Sequence, residues 1–241
     1  MKLGIVTDIH NNIAALEAVM AQFQQEKCDR IICCGDIIGI GPCPEQTVQY
    51  MMKIPNLIAV RGNHERYLLE GMPAGFPNAE QMDYGEVLHH KWEHGLLSGE
   101  SVVFLRKLPL YECLTIDGYK IVVMHYCMNV AGQYVNYTPN PSKVDLLKMF
   151  ADVADCDIVL FGHDHDRTIC NVENKWFINV GLLGCPAKDK NLARAGILVL
   201  EDAGVRVETI EAQYDVESVI KKIDRLDYPE AENIKKYFYG V

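Results

Sequence analysis

No apolar run in the chain is long enough to cross a bilayer. The longest, such as Ile121–Met124 and Ile197–Leu200, span only a few residues, whereas a transmembrane helix needs about 20. Met1-Lys2 leads straight into Leu3-Gly4-Ile5-Val6-Thr7 with no signal-peptide plan, so a cytoplasmic protein without a membrane partner is expected. Basic charge is scarce: 23 Lys+Arg stand against 33 Asp+Glu, a formal net charge of −10. No basic block offsets this, which argues against sequence-independent nucleic-acid binding. No Cys-x-x-Cys pair is present among the nine cysteines, so a thiolate zinc knuckle is excluded. The odd count and the lack of an export signal point to free, mostly buried thiols rather than a disulfide scaffold. A redox function would rest on the cysteine count alone. Internal repeats, low-complexity tracts and Ser/Gly linkers are also missing. The 241 residues, 49% hydrophobic and 23% charged, therefore read as a single domain, 1–241, with ample material for a core.

What is there alternates strand and helix in the first half. Lys2–Thr7, Arg30–Cys34 and Leu57–Val60 read as strands. Between them lie a helix capped by Asn12, with Ile13, Leu16, Val19, Met20 and Phe23 on one face, and a helix over Pro44–Lys53. That order implies a parallel sheet. A turn-rich loop over Gly71–Asn78 precedes helices expected at Ala79–Leu97 and near Glu100–Leu105. Asp117-Gly118 marks a hairpin between Leu110–Ile116 and Tyr119–His125. Ser142–Val153 reads as a helix and Asp157–Phe161 as a strand. The last third is β-rich: Thr168–Val172 and Lys175–Val180 flank Glu173-Asn174, and Arg194–Leu200 and Val205–Glu211 flank a turn at Asp202–Gly204. Val216, Val219, Ile220 and Ile223 mark a late helix, before an aromatic tail at Tyr237-Phe238-Tyr239 that would pack on the core or on a partner. The sum is two sheets packed together with helices outside.

The chemistry lies just after the strands. Asp8 and His10 follow the first, Asp36 the second, Asn63 and His64 the third. His125 follows the second strand of the hairpin, and His163 and His165 follow Asp157–Phe161. Ligands bind beyond the carboxyl ends of strands in open α/β sheets, so these ends describe one converging site. Each fragment alone is weak, since Asp-x-His or Gly-Asp is commonly just a turn; the joint order carries the inference. Imidazole with carboxylate suits first-row transition metals, and Asn adds a neutral oxygen. A single carboxylate, Asp36, could bridge two cations able to clamp a phosphate.

Asp8-Ile9-His10, Gly35-Asp36, Gly62-Asn63-His64-Glu65, His125 and Gly162-His163-Asp164-His165 together resemble the calcineurin-like metallophosphoesterase family. Gly39-Ile40-Gly41-Pro42-Cys43-Pro44 is similar to a stretch of its small bacterial and archaeal members. Weaker likeness continues through Asn179–Gly184 and Tyr214–Glu217. The resemblance implies an α/β fold, a four-layer αββα sandwich of two mixed sheets. It implies two divalent transition-metal ions, manganese, iron, nickel or zinc. One would be held by Asp8, His10, Asp36 and His165, the other by Asp36, Asn63, His125 and His163. A hydroxide between them would attack phosphorus, and His64, not a ligand, would contact the phosphate and protonate the leaving group. Asp164 and Glu65 would support these groups. Where the family often has Gly after the first His, this chain has Asn11; Asn12 matches the Asn that follows. Ile40 replaces a usual Tyr, and Val180 and Leu182 replace Pro and Ser.

Residues 66–108 form an insertion that could cap the site. On its helix His90 or His94 would reach the phosphate or a base and Trp92 would stack on it, unless Trp92 is simply buried, which general statistics favour. Asn12, Arg61, His90, His94 and Arg194 are the candidate substrate contacts; Arg61 or Arg194 would supply the extra cation a phosphomonoester dianion wants. Tyr134 and Tyr137 could form a nucleotide platform. The expected activity is hydrolysis of a small phosphate ester or nucleotide, leaning to a phosphodiesterase or nucleotide-type phosphatase. A dinucleoside polyphosphate hydrolase and a phosphoprotein phosphatase are the competing enzymes. A non-catalytic interaction scaffold is the rival class, weakened by the presence of every ligand position and of His64.

Overall fold

Alternate residues of the central strands face opposite ways, and both faces are apolar, the pattern of strands buried on two sides. In a computed structural model, which describes all residues except 76–81, 130, 136–137, 139, 186–190 and 202–203, that pattern builds two five-stranded mixed sheets. The strands are β1 (Lys2–Val6), β2 (Arg30–Cys33), β3 (Ile58–Ala59), β4 (Tyr111–Ile116), β5 (Tyr119–Met124), β6 (Ile158–Leu160), β7 (Thr168–Val172), β8 (Lys175–Asn179), β9 (Leu192–Glu201) and β10 (Gly204–Gln213). The first sheet runs β10-β9-β1-β2-β3 and the second β4-β5-β6-β8-β7. In the first, β1, β2 and β3 are parallel and β9 runs antiparallel to β1 and β10. In the second, β5, β6 and β8 are parallel, with β4 and β7 antiparallel at the edges.

The period of two assigns each strand residue to a layer. Leu3, Ile5, Ile32, Cys34, Leu198 and Leu200 meet Ile121, Val123, Ile158, Leu160 and Ile178 in the core between the sheets. Their neighbours Val6, Ile31, Cys33, Ile197 and Val199 turn the other way, toward the helices on the first sheet. Val122, Met124, Val159, Phe161 and Phe177 do the same on the second. The helices are α1 (Ile13–Gln25), α2 (Pro44–Met51), α3 (Asn63–Glu70), α4 (Tyr84–His94), α5 (Gly99–Lys107), α6 (Lys143–Met149), α7 (Val216–Arg225) and α8 (Ala231–Ile234). Leu16, Val19 and Phe23 of α1 and Leu105 of α5 join the first outer layer; Leu146 of α6 joins the second. The layers are thus helix, sheet, sheet, helix. No helix among the described residues is long and apolar enough to cross a membrane, and all nine cysteines are free.

Several elements depart from the sequence reading. Asn63–Glu70 is a helix, although the motif at its start gives no apolar stripe to announce it. The helix expected over Ala79–Leu97 begins only at Tyr84, where Asp83 accepts from Glu86 N and Glu86 reaches back to Asp83 N, a capping box. Residues 76–78 of the expected loop and 79–81 of that helix fall outside the described residues, as do 202–203 of the β9–β10 turn. Ser142–Val153 is interrupted at Phe150, with a 3₁₀ turn at Ala151–Val153. In the aromatic tail, Tyr239 is fully buried and Phe238 packs beside it, in a cluster with Ile40, Leu182, Tyr228 and Val219. Tyr237 remains exposed. The hairpin turns are as expected: Asp117-Gly118 and Glu173-Asn174 all have positive φ.

Asn12 shows how tightly the strand-end loops are tied down. Its Oδ1 accepts from Ala15 N at 3.1 Å, capping α1, and its Nδ2 donates to Gly184 O at 2.6 Å in the loop after β8. Asn12→Ala removes the cap and leaves a buried carbonyl without this donor. It is expected to lower stability by about 1–3 kcal/mol, read as a drop in the midpoint of urea unfolding; an unchanged midpoint would contradict this account.

Candidate metal centre

All parallel strands of both sheets end at the same edge of the molecule, and there the chain turns sharply. Asp8, His10, Asn11 and Asp36 have φ near +50°, and His163 and His165 have φ of 75° and 57°. Asp, Asn and His tolerate this left-handed region better than most residues. The turns aim consecutive polar side chains into one cleft, while the backbone bonds across to neighbouring loops. Asp8 N donates to Gly35 O, His10 N to Asp36 O, Asn11 N to Ile37 O, and Gly162 N to His125 O.

Two donor groups result. In the first, His10 Nε2 and His165 Nε2 face each other at 3.2 Å, with Asp8 Oδ1 at 3.9 and 3.6 Å from them. His10 Nδ1 lies 3.3 Å from Ile38 O, and donating to that carbonyl leaves its Nε2 with a free lone pair. In the second, Asn63 Oδ1 is 2.9 Å from His125 Nε2 and 3.0 Å from His163 Nδ1, and Asp36 Oδ2 is 3.2 Å from His125 Nε2. His125 Nδ1 sits 2.8 Å from Cys34 O, the hydrogen bond that typically orients a metal-binding imidazole. Asp36 also comes near His64, whose Nε2 lies 3.8 Å from Oδ2, and His64 N donates to Asp36 Oδ1. Nitrogens with free lone pairs and carboxylate oxygens converging in one cleft repel one another unless a proton or a cation lies between them. Asp8, His10 and His165 together, and Asp36, His125 and His163 together, have ligand atoms close enough to share an ion. The residues fit divalent metal.

Electrostatics separate the imidazoles. Burial pushes His10 and His163 down to about 4, so they are neutral and their lone pairs available. Burial opposes the charged form of His125 as well, but the Asp36 carboxylate against it raises it to about 9. Burial drives His64 well below its ordinary value, with Asp36 pulling the other way.

Glu65 supports the cleft from behind. Fully buried, it accepts four backbone N–H bonds: Oε1 from Ile37 and Ile38, Oε2 from Asp36 and Gly62. It fixes the turn that carries Asp36 and the start of the helix that carries Asn63 and His64. Burial and the nearby Asp36 push it up to about 7, against the pull of these N–H donors. Asp8 is held in the same way by Thr7 Oγ and His163 N, and Asp164 accepts from Asn179 Nδ2. Two glycines are sterically required. A Cβ on Gly62 would overlap Asp36 Oδ1, and one on Gly39, at φ +99°, would overlap His64 Nδ1.

The other candidates divide. His90 lines the cleft of about 240 Å³ together with Asp36, His64, Tyr67, Met82 and His89. Its ring lies 4.9 Å from that of His64, and its Nδ1 lies 3.0 Å from Glu93 Oε1. His94 does not line the cleft; its Nε2 is 3.8 Å from Glu93 Oε1, behind His90. Trp92 packs edge-on against Tyr228 at 4.9 Å, the buried alternative. Asn12 is 1% exposed; its amide bonds Ala15 N and Gly184 O, and it is not among the residues lining the cleft. Arg61 does not line the cleft either: its Nε donates to Leu108 O. Arg194 stands in β9, its backbone N donating to Leu182 O, also outside the cleft lining. Tyr134 is no open platform. Its hydroxyl donates to Arg61 O and its ring packs on His163 and His125. Tyr137 lies outside the described residues. Sequence reasoning gave no role to Asn11 or Glu93, which meet here; the spacing of His90 and Glu93 on one helix face was the available signal.

The model of the calcineurin-like phosphoesterase superfamily domain matches residues 1–202. The chain belongs to that superfamily. Among its relatives is an uncharacterized protein of Methanocaldococcus jannaschii, 24% identical over 252 residues that cover 95% of this chain and 94% of the other. A hypothetical protein of Pyrococcus horikoshii shares the fold with a TM-score of 0.84 at 20% identity, over all of this chain and 98% of that one. A metallophosphoesterase of Sphaerobacter thermophilus does so at 0.74 and 23%, over all of this chain and 99% of that one. A protein characterised as an archaeal phosphodiesterase aligns at 0.52 and 19%, over 87% of this chain and 100% of that one.

Glu65→Gln would turn an amide NH₂ toward backbone donors. The turn at Asp36 should loosen, and affinity for Mn²⁺ should fall about 10–100-fold, measured by metal titration of the apo protein. Equal affinity in the variant would show that Glu65 does not organise the centre.

Proposed function

We propose that this phosphoesterase-family protein is a dinuclear-metal-dependent hydrolase of phosphoric esters, acting on a small diester or nucleotide-type substrate. The observation that carries the reading is the pair of donor groups with Asp36 between the second and His64. One ion would be held by Asp8, His10, Asp36 and His165, and the other by Asp36, Asn63, His125 and His163. When bound, two divalent ions polarise the phosphoryl oxygens and make water a competent nucleophile near neutral pH. Asp36, close to both His10 and His125, would be the carboxylate common to the two sets. His10 and His125, oriented by Ile38 O and Cys34 O, keep their Nε2 atoms inward.

His64 has no metal in this scheme. Its ring stands 4.9 Å from that of His10, held by α3 and pressed against Gly39. As the bond from water oxygen to phosphorus forms and the bond to the leaving oxygen breaks, the leaving oxygen takes its proton from His64, and the proton lost by the attacking water passes to solvent, from which His64 is reprotonated. The negative charge of a bound phosphoryl group supports the protonated imidazole there against the burial that disfavours it. Residues 66–108 act partly as a cap: α4 brings His89 and His90 to the cleft, whereas α5 belongs to the outer layer with α2. The diester preference draws on the fold neighbour described as an archaeal phosphodiesterase.

The test is turnover of p-nitrophenyl phosphate and bis-p-nitrophenyl phosphate with Mn²⁺ supplied, for wild type and His64→Ala. His64→Ala should lose about 10²–10⁴ in kcat with its metal content unchanged. A metal-loaded wild type that turns over neither ester would sink the enzyme reading and leave an interaction scaffold.

A further inference from the structure

One buried carboxylate is not used by the proposed metal centre. Glu93 on α4 is fully buried. Its Oε2 accepts from Asn11 Nδ2 at 2.5 Å, and its Oε1 lies 3.0 Å from His90 Nδ1. Burial works against its charged form, but the His90 hydrogen bond and the surrounding imidazoles hold it below the ordinary carboxylate range. Burying a carboxylate is costly unless it is fully partnered, so this arrangement calls for an explanation. Asn11 comes from the turn immediately after His10, with φ +55°. It is the position where a side-chain-free glycine would make no such bond.

The network fixes one side chain against the cleft. His90 is 5% exposed and wedged between His64, Tyr67, His89 and His94, with ring centroids at 4.9, 5.4, 5.6 and 6.2 Å. With Nδ1 directed to Glu93, Nε2 is the ring atom left to meet a ligand. His64 stands between His90 and the metal-ligand residues: it touches His10 on one side and His90 on the other. A phosphoryl group placed at the metal centre therefore directs its leaving group toward His64 and then His90.

The surroundings define what kind of leaving group. Ile40, Met82, Ile234 and Phe238 line the cleft, as does Glu86. No Lys or Arg appears among the described lining residues. A second phosphate would meet Glu86 and these apolar side chains, whereas an alcohol with an apolar body would bury against them.

We propose that His90 is a leaving-group residue, positioned by the Asn11–Glu93 pair, and that the site serves esters of uncharged, partly apolar alcohols rather than phosphoanhydrides. This rests on the proposed phosphoesterase activity. With Nδ1–H held by the Glu93 carboxylate, Nε2 donates only from the imidazolium. His90 acts in that form, paired with Glu93, and donates a hydrogen bond to the leaving oxygen as His64 protonates it, a contribution that grows as the leaving oxygen becomes more basic. Glu93 and Asn11 are positioning residues.

The experiment compares phenyl phosphate, a poor leaving group, with p-nitrophenyl phosphate, a good one. Wild type, His90→Gln and Glu93→Gln are assayed with Mn²⁺ and with metal content measured in each. His90→Gln should lose at least about tenfold more kcat on phenyl phosphate than on p-nitrophenyl phosphate, at unchanged metal content. Glu93→Gln should show the same leaving-group bias in smaller degree. Wild type should also prefer phenyl phosphate to a dinucleoside polyphosphate. Equal losses on the two aryl esters, no loss, or a preference for the polyphosphate would overturn the proposal while leaving the hydrolase reading intact. Should Glu93→Gln fail to fold, His90→Gln decides alone. A wild type inactive on every ester would remove both.

Discussion

The site depends on backbone turned into the left-handed region at the ends of the parallel strands. Asp8, His10, Asp36, His163 and His165 all adopt positive φ, and each non-glycine residue in such a state costs on the order of 1 kcal/mol or more. That cost is met by the two sheets behind the turns, whose shared core is continuous from Leu3 to Leu200, and by loop-to-loop backbone bonds such as Asp8 N to Gly35 O and Gly184 N to Asp8 O. Asp, Asn and His bear the conformation well, so the residue types suited to holding a cation are also those suited to the turn. Ile40 is the exception. A β-branched residue at φ +66° is a genuine outlier, and its burial against Leu182, Tyr228 and Ile234 is what holds it there.

Much of this was legible in the residues. Period-two alternation in Leu3–Val6 or Ile121–Met124 states which layer each side chain enters, and the polar residue after each run states where the strand stops. The ligand candidates were readable for the same reason, because each follows a strand. What was not readable depends on contacts between distant segments. The helix at Asn63–Glu70 has few apolar positions, and its start is set by Glu65 reaching back to Gly62 N rather than by a capping side chain on Gly62. Arg61 and Arg194 looked like phosphate contacts by charge alone, yet the Arg61 guanidinium donates to Leu108 O and neither lines the cleft. Asn12 looked like a substrate contact by its place beside the motif, and its amide turned out to close the fold.

Glu65 and Glu93 show two uses of one physical device. Each is a fully buried carboxylate, and neither has a Lys or Arg partner among the described residues. Glu65 collects four backbone N–H groups and so fixes main chain; Glu93 collects one amide and the imidazoles and so fixes side chains. The first organises residues that belong to the superfamily's pattern. The second links the position after His10 to the inserted helix α4, so the Asn at position 11 and the insertion make sense together: either alone would leave a buried polar group without its partner.

The acidic balance of the chain then acquires a physical meaning. With a net charge of −10 and no Lys or Arg among the described residues lining the cleft, the described part of the fold offers an anionic ester little attraction. In the proposed reading the attraction is imported: two divalent cations outweigh the single charges of Asp8 and Asp36, and only the imidazoles add donors beyond them. Phosphate affinity in such a pocket is conditional on metal. It is also local, because charges on bound ions in a buried site are screened by salt far less than a surface patch would be. In that reading an acidic surface around a metal-made cationic pocket would repel polyanions such as nucleic acid at long range and admit a small ester at short range. Selectivity for small substrates then follows from where the positive charge sits rather than from how much of it the sequence carries.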